Sequence, residues 1–219
     1  MIAWENINSV FLDMDGTLLD LNFDNHFWQA FVPARYAERA GLGLEEAKAL
    51  LAPRFRAMEG RLEWYCLDYW SEQLDLDIPA MKQEIAGLIG VLPHVVEFLG
   101  AVRRADKRLV LVTNAHRKSL GLKMERTRLQ HFFDAIVSSH DLGHPKEDPE
   151  FWRKLGGVEP FSAEHTLLAD DSLPVLRSAR AFGIRHLVAV RKHDTTQPAR
   201  QIDEFPAIED FREIMPTGQ

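Results

Sequence analysis

The chain has a single cysteine, Cys66, among its 219 residues. No disulfide can form within it, which excludes the small cross-linked folds of secreted proteins. Because the sequence also shows no secretory signal, we predict a reducing cytoplasm as its compartment. The chain lacks an apolar stretch long enough to span a membrane. It contains no internal repeat, no low-complexity segment and no pattern that predicts an oligomeric state.

Positive charge is also scarce. The 26 lysines and arginines are outnumbered by 33 aspartates and glutamates, which gives a formal net charge of −7. This balance argues against nucleic acid or an anionic membrane surface as the main partner. It does not exclude a small phosphorylated substrate, because a bound metal can reverse the local charge of a site. The length fits one domain with an insertion, or two small domains.

Five short apolar runs are typical of strands covered on both faces of a parallel sheet. They are residues 10–12, 109–112, 166–168, 186–190 and, more weakly, 135–137. Helical patterns lie between them, one after Pro93 and others at 118–129 and 175–182. Strand alternating with helix predicts an α/β fold, a Rossmann-like doubly wound parallel sheet. For the proline-containing tail after Asp194 we predict irregular chain, a short helix and no chemistry.

Residues 22–92 interrupt this alternation. The segment is rich in helix formers and aromatic residues and contains no convincing strand. Its glycines and prolines divide it into about four helices. We therefore predict two domains, a core formed by residues 1–21 and 93–219 and an inserted α-helical bundle at 22–92.

Two aspartates, Asp13 and Asp15, stand at the end of the first predicted strand. Residues 10–18 read Val-Phe-Leu-Asp-Met-Asp-Gly-Thr-Leu. Alternate side chains of a strand share a face, so the two carboxylates can converge. Such like charges are unfavourable unless a cation neutralises them or they share a proton, and oxygen ligands suit Mg²⁺. A solvated strand end followed by a turn is the alternative for this motif alone.

Polar residues follow other predicted strands as well. They are Thr113 and Asn114, then Lys146, then Asp170 and Asp171. In an open α/β sheet, ligands bind beyond the carboxyl ends of the strands. Carboxylates can hold a metal there, a hydroxyl and an amide can bind phosphate, and a lysine can offset charge. Taken singly, these residues also fit a strand-to-turn transition, a surface lysine and a helix N-cap.

The ordered set resembles that of the haloacid dehalogenase-like hydrolase superfamily. The motifs are Asp13-Met14-Asp15-Gly16-Thr17, Thr113, Lys146 and Asp170-Asp171, with a helical insert after the first. The resemblance implies hydrolysis of a phosphate monoester with Mg²⁺. It implies that Asp13 is the nucleophile, that Asp15 is the general acid and then the general base, and that Lys146 bridges nucleophile and phosphate.

The resemblance also implies the residues that bind phosphate and metal. Gly16, Thr113 and Asn114 would contact the phosphate. Asp170 would be the main acidic metal ligand of the last motif, and Asp171 a second ligand or a support for the lysine. The nucleophile, Asp13, and the backbone carbonyl of Asp15 would complete the metal site.

Two features bear on which reaction the resemblance implies. The third motif of the family often reads Pro-Lys-Pro, and here Glu147 replaces the second proline while Lys146 stays in place. Members that displace halide, and relatives that cleave phosphonates, lack an aspartate at the position of Asp15. The resemblance therefore implies a phosphatase.

Insertion after the first motif is the position of a small helical cap in this superfamily. Caps close over the site, exclude water and recognise the leaving group. Aromatic residues of the insert are candidates for stacking on a base, with bundle core as the alternative; they are Trp28, Trp64, Tyr65, Tyr69 and Trp70. Polar candidates for facing the substrate or the mouth of the site are Asn22, Asp24, Asn25, His26, His116 and His140. Among all of these we select Asn25 and Tyr65 as substrate contacts.

Two stretches of the insert narrow the resemblance. Residues 18–28 read Leu-Leu-Asp-Leu-Asn-Phe-Asp-Asn-His-Phe-Trp, and residues 63–74 read Glu-Trp-Tyr-Cys-Leu-Asp-Tyr-Trp-Ser-Glu-Gln-Leu. With residues 113–116 and 145–148, they resemble bacterial purine 5′-nucleotidases, which implies GMP or IMP as substrate. The residues by themselves support only a phosphomonoesterase.

Other functions stay open at this point. A sugar-phosphate phosphatase or a phosphosugar mutase would use the same motifs. A phosphoreceiver-type signalling domain also combines an acceptor aspartate, an acidic pair, a threonine and a lysine around Mg²⁺. In a receiver, however, the acidic pair precedes the acceptor, whereas here Asp170-Asp171 comes last. A non-catalytic binding protein is the remaining alternative.

Overall fold

The computed structural model describes residues 2–216, and one sheet of six parallel strands lies at its centre. The strands are Ser9–Leu12 (β1), Arg108–Thr113 (β2), Ala135–Ser138 (β3), Thr166–Asp170 (β4), His186–Val190 (β5) and Ala207–Ile208 (β6). Across the sheet they follow the order β3–β2–β1–β4–β5–β6, and every neighbouring pair is parallel. The carboxyl ends of β1, β2 and β4 therefore meet at one edge, as the predicted α/β fold requires.

The sixth strand lies in the tail, where we predicted irregular chain. It is two residues long and pairs Ala207 and Ile208 with the edge strand β5. A strand this short offers neither an apolar run nor an alternation from which it could be recognised. The short helix predicted for the tail is the 3₁₀ turn Phe211–Ile214.

Five α-helices flank the sheet. They are, numbered after the six helices of the insert, Val95–Arg104 (α7), Arg117–Thr127 (α8), Ser139–Leu142 (α9), Pro149–Val158 (α10) and Leu173–Phe182 (α11). Val10 and Leu12 pack into a core with α7 and α8, while Phe11 between them packs into a second core with α10 and α11. Alternate strand residues thus face opposite layers, as in a doubly wound fold. Helix α8 ends two residues before the predicted position because Arg128 adopts a left-handed φ of 60°.

The insert between β1 and β2 is helical. Its helices are Asn22–His26 (α1), Val32–Ala40 (α2), Leu44–Arg56 (α3), Leu62–Tyr65 (α4), Leu67–Leu74 (α5) and Ile78–Glu84 (α6). The π-helical turn Phe27–Phe31 joins α1 to α2 without leaving helical geometry, so these elements form one helix, close to the predicted division. No helix within residues 2–216 is both long and apolar enough to cross a bilayer.

The insert has an apolar core of its own. Phe27, Leu51 and Trp70 are central to it, and it is separate from the two cores on the sheet. The incoming and outgoing chains pair where the insert leaves the sheet, because Leu92 N donates to Leu18 O over 2.9 Å. The separate core suits a unit that packs by itself. A division into two domains at residues 22–92 stays our proposal.

Candidate active site

A buried lysine, Lys146, lies at the centre of the edge where β1, β2 and β4 end. Its Nζ donates to Asp13 Oδ1 over 2.5 Å, to Asp170 Oδ2 over 2.7 Å and to Val112 O over 3.1 Å. Burial alone would lower the pKa of Lys146, but the charges of Asp13 and Asp170 outweigh it and raise the pKa. The lysine is therefore a fixed positive charge between two carboxylates.

The carboxylates outnumber that lysine. Ligand oxygens of Asp13, Asp170 and Asp171 lie within 4.8 Å of one another. Burial raises the pKa of Asp13 to about 6 against the opposing charge of Lys146. Burial, with the charges of Asp13 and Asp170, raises the pKa of Asp171 well above its ordinary value. A hard divalent cation would relieve this excess of negative charge, and the all-oxygen donor set fits Mg²⁺.

The Asp171 side chain is confined from two sides. Gly16 has a φ of +83°, and a Cβ built there would lie 2.8 Å from the Asp171 carboxylate. Glycine is therefore required both for the turn and for the close approach. On the other side, Arg200 Nη2 lies 3.6 Å from Asp171 Oδ2 and donates to the Asp171 carbonyl over 2.5 Å. The tail, for which we predicted no chemistry, thus contributes an arginine to the edge of the site.

Asp15 is not part of the group formed by Asp13, Asp170 and Asp171, and its side chain contacts Lys123 of α8. Lys123 Nζ donates over 2.6 Å both to Asp15 Oδ1 and to Asp24 Oδ2 of the insert, and Lys82 Nζ donates to Asp24 Oδ1 over 2.5 Å. Burial raises the pKa of Asp15 to about 6, although the charge of Lys123 opposes the rise. The Asp15 side chain is thus outside the acidic group, and the role in metal binding that the resemblance implies for it is one of its backbone carbonyl.

Sequence reasoning missed Lys123 and Lys82. Both are buried, with 1% and 2% of their surface exposed. A signal was present for Lys123, since it follows Leu120 by three residues and adjoins Met124, both on the buried stripe of α8. A lysine on the apolar face of a helix predicts a buried partner.

Thr113 and Asn114 lie at the end of β2, and both are buried. Asn114 Oδ1 accepts from the backbone N–H of Lys146 over 2.9 Å, and its Nδ2 donates to Glu147 Oε2 over 2.9 Å. The Tyr65 hydroxyl of the insert donates to Glu147 Oε1 over 2.5 Å. The Asn114 amide therefore positions the loop that carries the lysine. Glu147, the residue that replaces the second proline, joins this loop to the insert.

A cavity of about 410 Å³ separates the insert from the carboxyl edge of the sheet. Of the predicted aromatic candidates, Trp28, Trp64 and Tyr65 line it. Tyr69 and Trp70 do not, and Trp70 is instead core, 2% exposed with its Nε1 donating to Trp64 O over 2.9 Å.

The polar candidates divide in the same way. Asp24, Asn25 and His116 line the cavity, whereas Asn22, His26 and His140 are absent from its wall. Asn25 Nδ2 donates to Asp194 Oδ2 of the tail over 2.7 Å, which fixes its orientation. The cavity thus has a floor of carboxylates and three buried lysines, Lys82, Lys123 and Lys146, and an aromatic roof supplied by the insert.

The chain is similar in sequence and in fold to known hydrolases. The model of the haloacid dehalogenase-like hydrolase family matches residues 7–202. The chain is 40% identical over 216 residues to the GMP/IMP nucleotidase YrfG of Escherichia coli (strain K12), covering 99% of this chain and 97% of that protein. It is 24% identical to phosphoglycolate phosphatase 1 of Pseudomonas aeruginosa, over 94% of this chain and 78% of that protein. In fold it is similar to the crystal structure of a HAD phosphatase from Thermococcus onnurineus, with a TM-score of 0.79 and 18% identity over 95% and 96% of the two chains.

Proposed function

The chain belongs to the haloacid dehalogenase-like hydrolase family, and from this we propose that it hydrolyses purine nucleoside 5′-monophosphates through a phosphorylated Asp13. It is a phosphoric monoester hydrolase. The observation that carries the proposal is the buried Lys146 bridging Asp13 and Asp170 beneath the cavity. This arrangement holds a carboxylate nucleophile ionised and pointed at one place, with a cation beside it to meet phosphate charge.

We propose Mg²⁺ as the cofactor, held by the carboxylates of Asp13, Asp170 and Asp171. Their oxygens are close enough to share one ion, and three carboxylates, two of them buried, against one lysine leave an excess of negative charge. When bound, Mg²⁺ would offset this charge and polarise the phosphoryl oxygens. By resemblance, the backbone carbonyl of Asp15 would contact the same ion.

In the first step, an Asp13 oxygen would attack phosphorus. The new O–P bond forms as the ester O–P bond breaks, and Asp15 gives its proton to the departing ester oxygen. A pKa of about 6 lets Asp15 carry that proton in part of the molecules near neutral pH. Lys146 and Thr113 would meet the charge on the phosphoryl oxygens.

In the second step, water would release the phosphate. Asp15, now ionised, takes a proton from a water molecule whose oxygen attacks phosphorus. The bond between Asp13 and phosphorus breaks, inorganic phosphate leaves, and both carboxyl groups return to their starting state. Asp15 thus serves as acid and base in turn without a net change.

We propose that the insert at residues 22–92 acts as a cap that recognises the leaving nucleoside. Trp28 and Trp64 offer flat aromatic surface above the acidic floor, and Tyr65 contacts the loop of the catalytic lysine through Glu147. Stacking of a base on such rings is favourable and does not require a particular pattern of hydrogen bonds on the base. A purine would use more of this surface than a pyrimidine or a sugar.

The remaining partners follow from charge and composition. We propose a small phosphorylated substrate as the partner, with no nucleic-acid or membrane partner, since the net charge is −7. A cytoplasmic location stays a prediction, which cell fractionation would test.

The test is release of inorganic phosphate from a panel of nucleotides and sugar phosphates with Mg²⁺, with matched reactions in EDTA. We expect GMP and IMP to be hydrolysed far faster than CMP, UMP or hexose phosphates, and EDTA to abolish turnover. Preference for a sugar phosphate would contradict the purine assignment while leaving the phosphatase chemistry intact. Interconversion of sugar phosphates without phosphate release would identify a mutase instead.

A further inference from the structure

A second group of ligand-type side chains lies at the boundary between the insert and the sheet. Cys66 belongs to the insert at the start of α5, His116 precedes α8, and His140 lies in α9. One ligand atom from each of these three residues lies within 4.8 Å of the other two. None of the three is used in the proposed reaction, and they share no residue with the carboxylate group.

The side chains in this cluster have few other partners. The two imidazole rings cross nearly edge-on with centroids 4.9 Å apart. His140 Nε2 is buried and has no hydrogen-bond partner among the described residues. The Cys66 thiol is free, and its Sγ accepts one weak bond from Tyr69 N over 3.4 Å. A buried ring nitrogen without a protein partner is unfavourable and is available to accept a bond from a ligand.

Both histidines are prepared to act as metal ligands. Burial and the nearby His116 together lower the pKa of His140 to about 4. Burial also lowers the pKa of His116. Metal ligation requires neutral imidazole, which both residues supply at neutral pH.

We propose that Cys66, His116 and His140 form a binding site for a thiophilic divalent ion, Zn²⁺ first among them. One thiolate and two imidazoles are the donors that Zn²⁺ favours, unlike the oxygen set proposed for Mg²⁺. A tetrahedral zinc ion holds its ligand atoms about 3.5 Å apart, and the three ligand atoms here already lie within 4.8 Å of one another. On binding, the thiol releases its proton to solvent as the metal–sulfur bond forms.

The fourth position would be filled by water or by a carboxylate. Asp68 of the insert is a candidate, since its Oδ2 lies 3.7 Å from His116 Nε2. Lys118 Nζ also donates to Asp68 Oδ1, over 2.6 Å, which holds this carboxylate beside the cluster. Three protein donors and one exchangeable position form an accessible site.

Such an ion would join the two parts of the molecule. Cys66 and Asp68 come from the insert, and the histidines follow β2 and β3 at the carboxyl edge of the sheet. If the insert moves as the proposed cap does, a bound ion would hold it against the sheet. This consequence, unlike the site itself, rests on the proposed function; Zn²⁺ at saturating Mg²⁺ should then slow phosphate release in the unmodified protein and not in Cys66→Ser.

The site itself is tested by titrating the purified full chain with Co²⁺ in the presence of saturating Mg²⁺. We expect about one equivalent to bind with a thiolate-to-cobalt absorption band in the near ultraviolet and visible bands of tetrahedral Co²⁺. Because Cys66 is the only cysteine, that band identifies the ligand. Cys66→Ser should lose the band, and His140→Gln should weaken Co²⁺ binding about tenfold or more.

Asp170→Asn serves as the matched control, because it alters the carboxylate group and should keep the thiolate band. Circular dichroism on each variant separates loss of a ligand from loss of the fold. A titration without a thiolate band, or one that is the same in Cys66→Ser, would overturn the proposal. This readout needs no turnover, so it stands or fails independently of the proposed phosphatase.

Discussion

Two buried lysines each bridge a pair of carboxylates, yet they join different parts of the molecule. Lys146 links Asp13 of the β1 end to Asp170 of the β4 end, so all three residues belong to the sheet. Lys123 links Asp15 to Asp24, which lies in the insert. The first bridge assembles the reaction centre within one rigid layer. The second connects the proposed acid–base residue to the insert, the part of the chain that we propose covers the substrate.

Substitution of the proposed nucleophile, Asp13, should have the largest effect, because no other residue bridged by Lys146 takes the phosphoryl group in the proposed reaction. Asp13→Asn should lower phosphate release by about 10⁴-fold or more, since the amide cannot form the phosphorylated intermediate. Asn is close in shape, and Lys146 keeps Asp170 as a partner, so circular dichroism should show an unchanged fold. Appreciable residual turnover would remove Asp13 as the nucleophile.

Replacing each lysine by methionine distinguishes the two bridges, one within the sheet and one between Asp15 and the insert. Lys146→Met should lower kcat by about 10²- to 10³-fold because the phosphoryl oxygens lose a fixed charge. Lys123→Met should lower it about tenfold, because Asp15 stays at the site but loses the partner that orients its carboxylate and lowers its pKa. Lys146→Met should reduce the free energy of unfolding by about 3–5 kcal/mol in EDTA, since it leaves the buried carboxylates of Asp13 and Asp170 unpaired. The loss in Lys123→Met should be smaller, because Asp24 keeps its contact with Lys82 and only Asp15 loses its partner.

The matched control for this pair is Lys118→Met on the same helix as Lys123. Lys118 is about half exposed and pairs with the exposed Asp68, so the change in the free energy of unfolding should stay below about 1 kcal/mol. Steady-state kinetics and urea denaturation give both quantities. Equal losses of kcat in Lys146→Met and Lys123→Met would contradict the distinction between the two bridges.

The same contrast explains what the sequence could predict. Asp13, Thr113, Lys146 and Asp170 follow apolar runs, and the rule that parallel strands end at one edge brings such residues together. Because the α/β fold is confirmed, these residues also lie close together at that edge. The Lys123–Asp15 contact spans 108 residues and depends on how α8 packs beneath the insert, which no local pattern encodes.

Contacts between insert and sheet were the least predictable. Tyr65 was selected as a substrate contact, and it does line the cavity, but its hydroxyl is committed to Glu147. Arg200 and Asp194 reach the site from a tail without regular pattern. The helical spacing of the aromatic residues fits either a place in the bundle core or a place in the cavity wall. Only tertiary packing puts Trp70 in the core and Trp64 in the wall.

An insert substitution should move the pH profile of a sheet residue if the second bridge couples the two parts. The charge of Asp24 raises the pKa of Asp15, and the Asp24 carboxylate shares Lys123 with Asp15. Asp24→Asn removes that repulsion and leaves Lys123 to Asp15, so the pKa of Asp15 should fall. Because the first step needs protonated Asp15, the alkaline limb of kcat against pH should move to lower pH.

The profile should be measured at saturating Mg²⁺ and substrate. Asp77→Asn, in the same insert but at the N-cap of α6, is the matched control and should leave the limb in place. A limb that stays fixed in Asp24→Asn, or that moves to higher pH, would show that the Asp24–Lys123 contact does not act on Asp15.

The smallest expected effect comes from the other link between insert and sheet. Tyr65→Phe removes the hydroxyl that donates to Glu147 while Asn114 still donates to the same carboxylate. One charge-assisted hydrogen bond of this kind contributes about 1.5–3 kcal/mol at most, and here only its effect on the Lys146 loop reaches the reaction. We expect kcat/KM for GMP to fall about three- to tenfold, with the pH limb unmoved because Asp15 is not involved. A shifted limb would mean that the insert acts on Asp15 through the Tyr65–Glu147 contact as well as through the Lys123–Asp24 contact. The proposed distinction between the two lysine bridges would then be wrong.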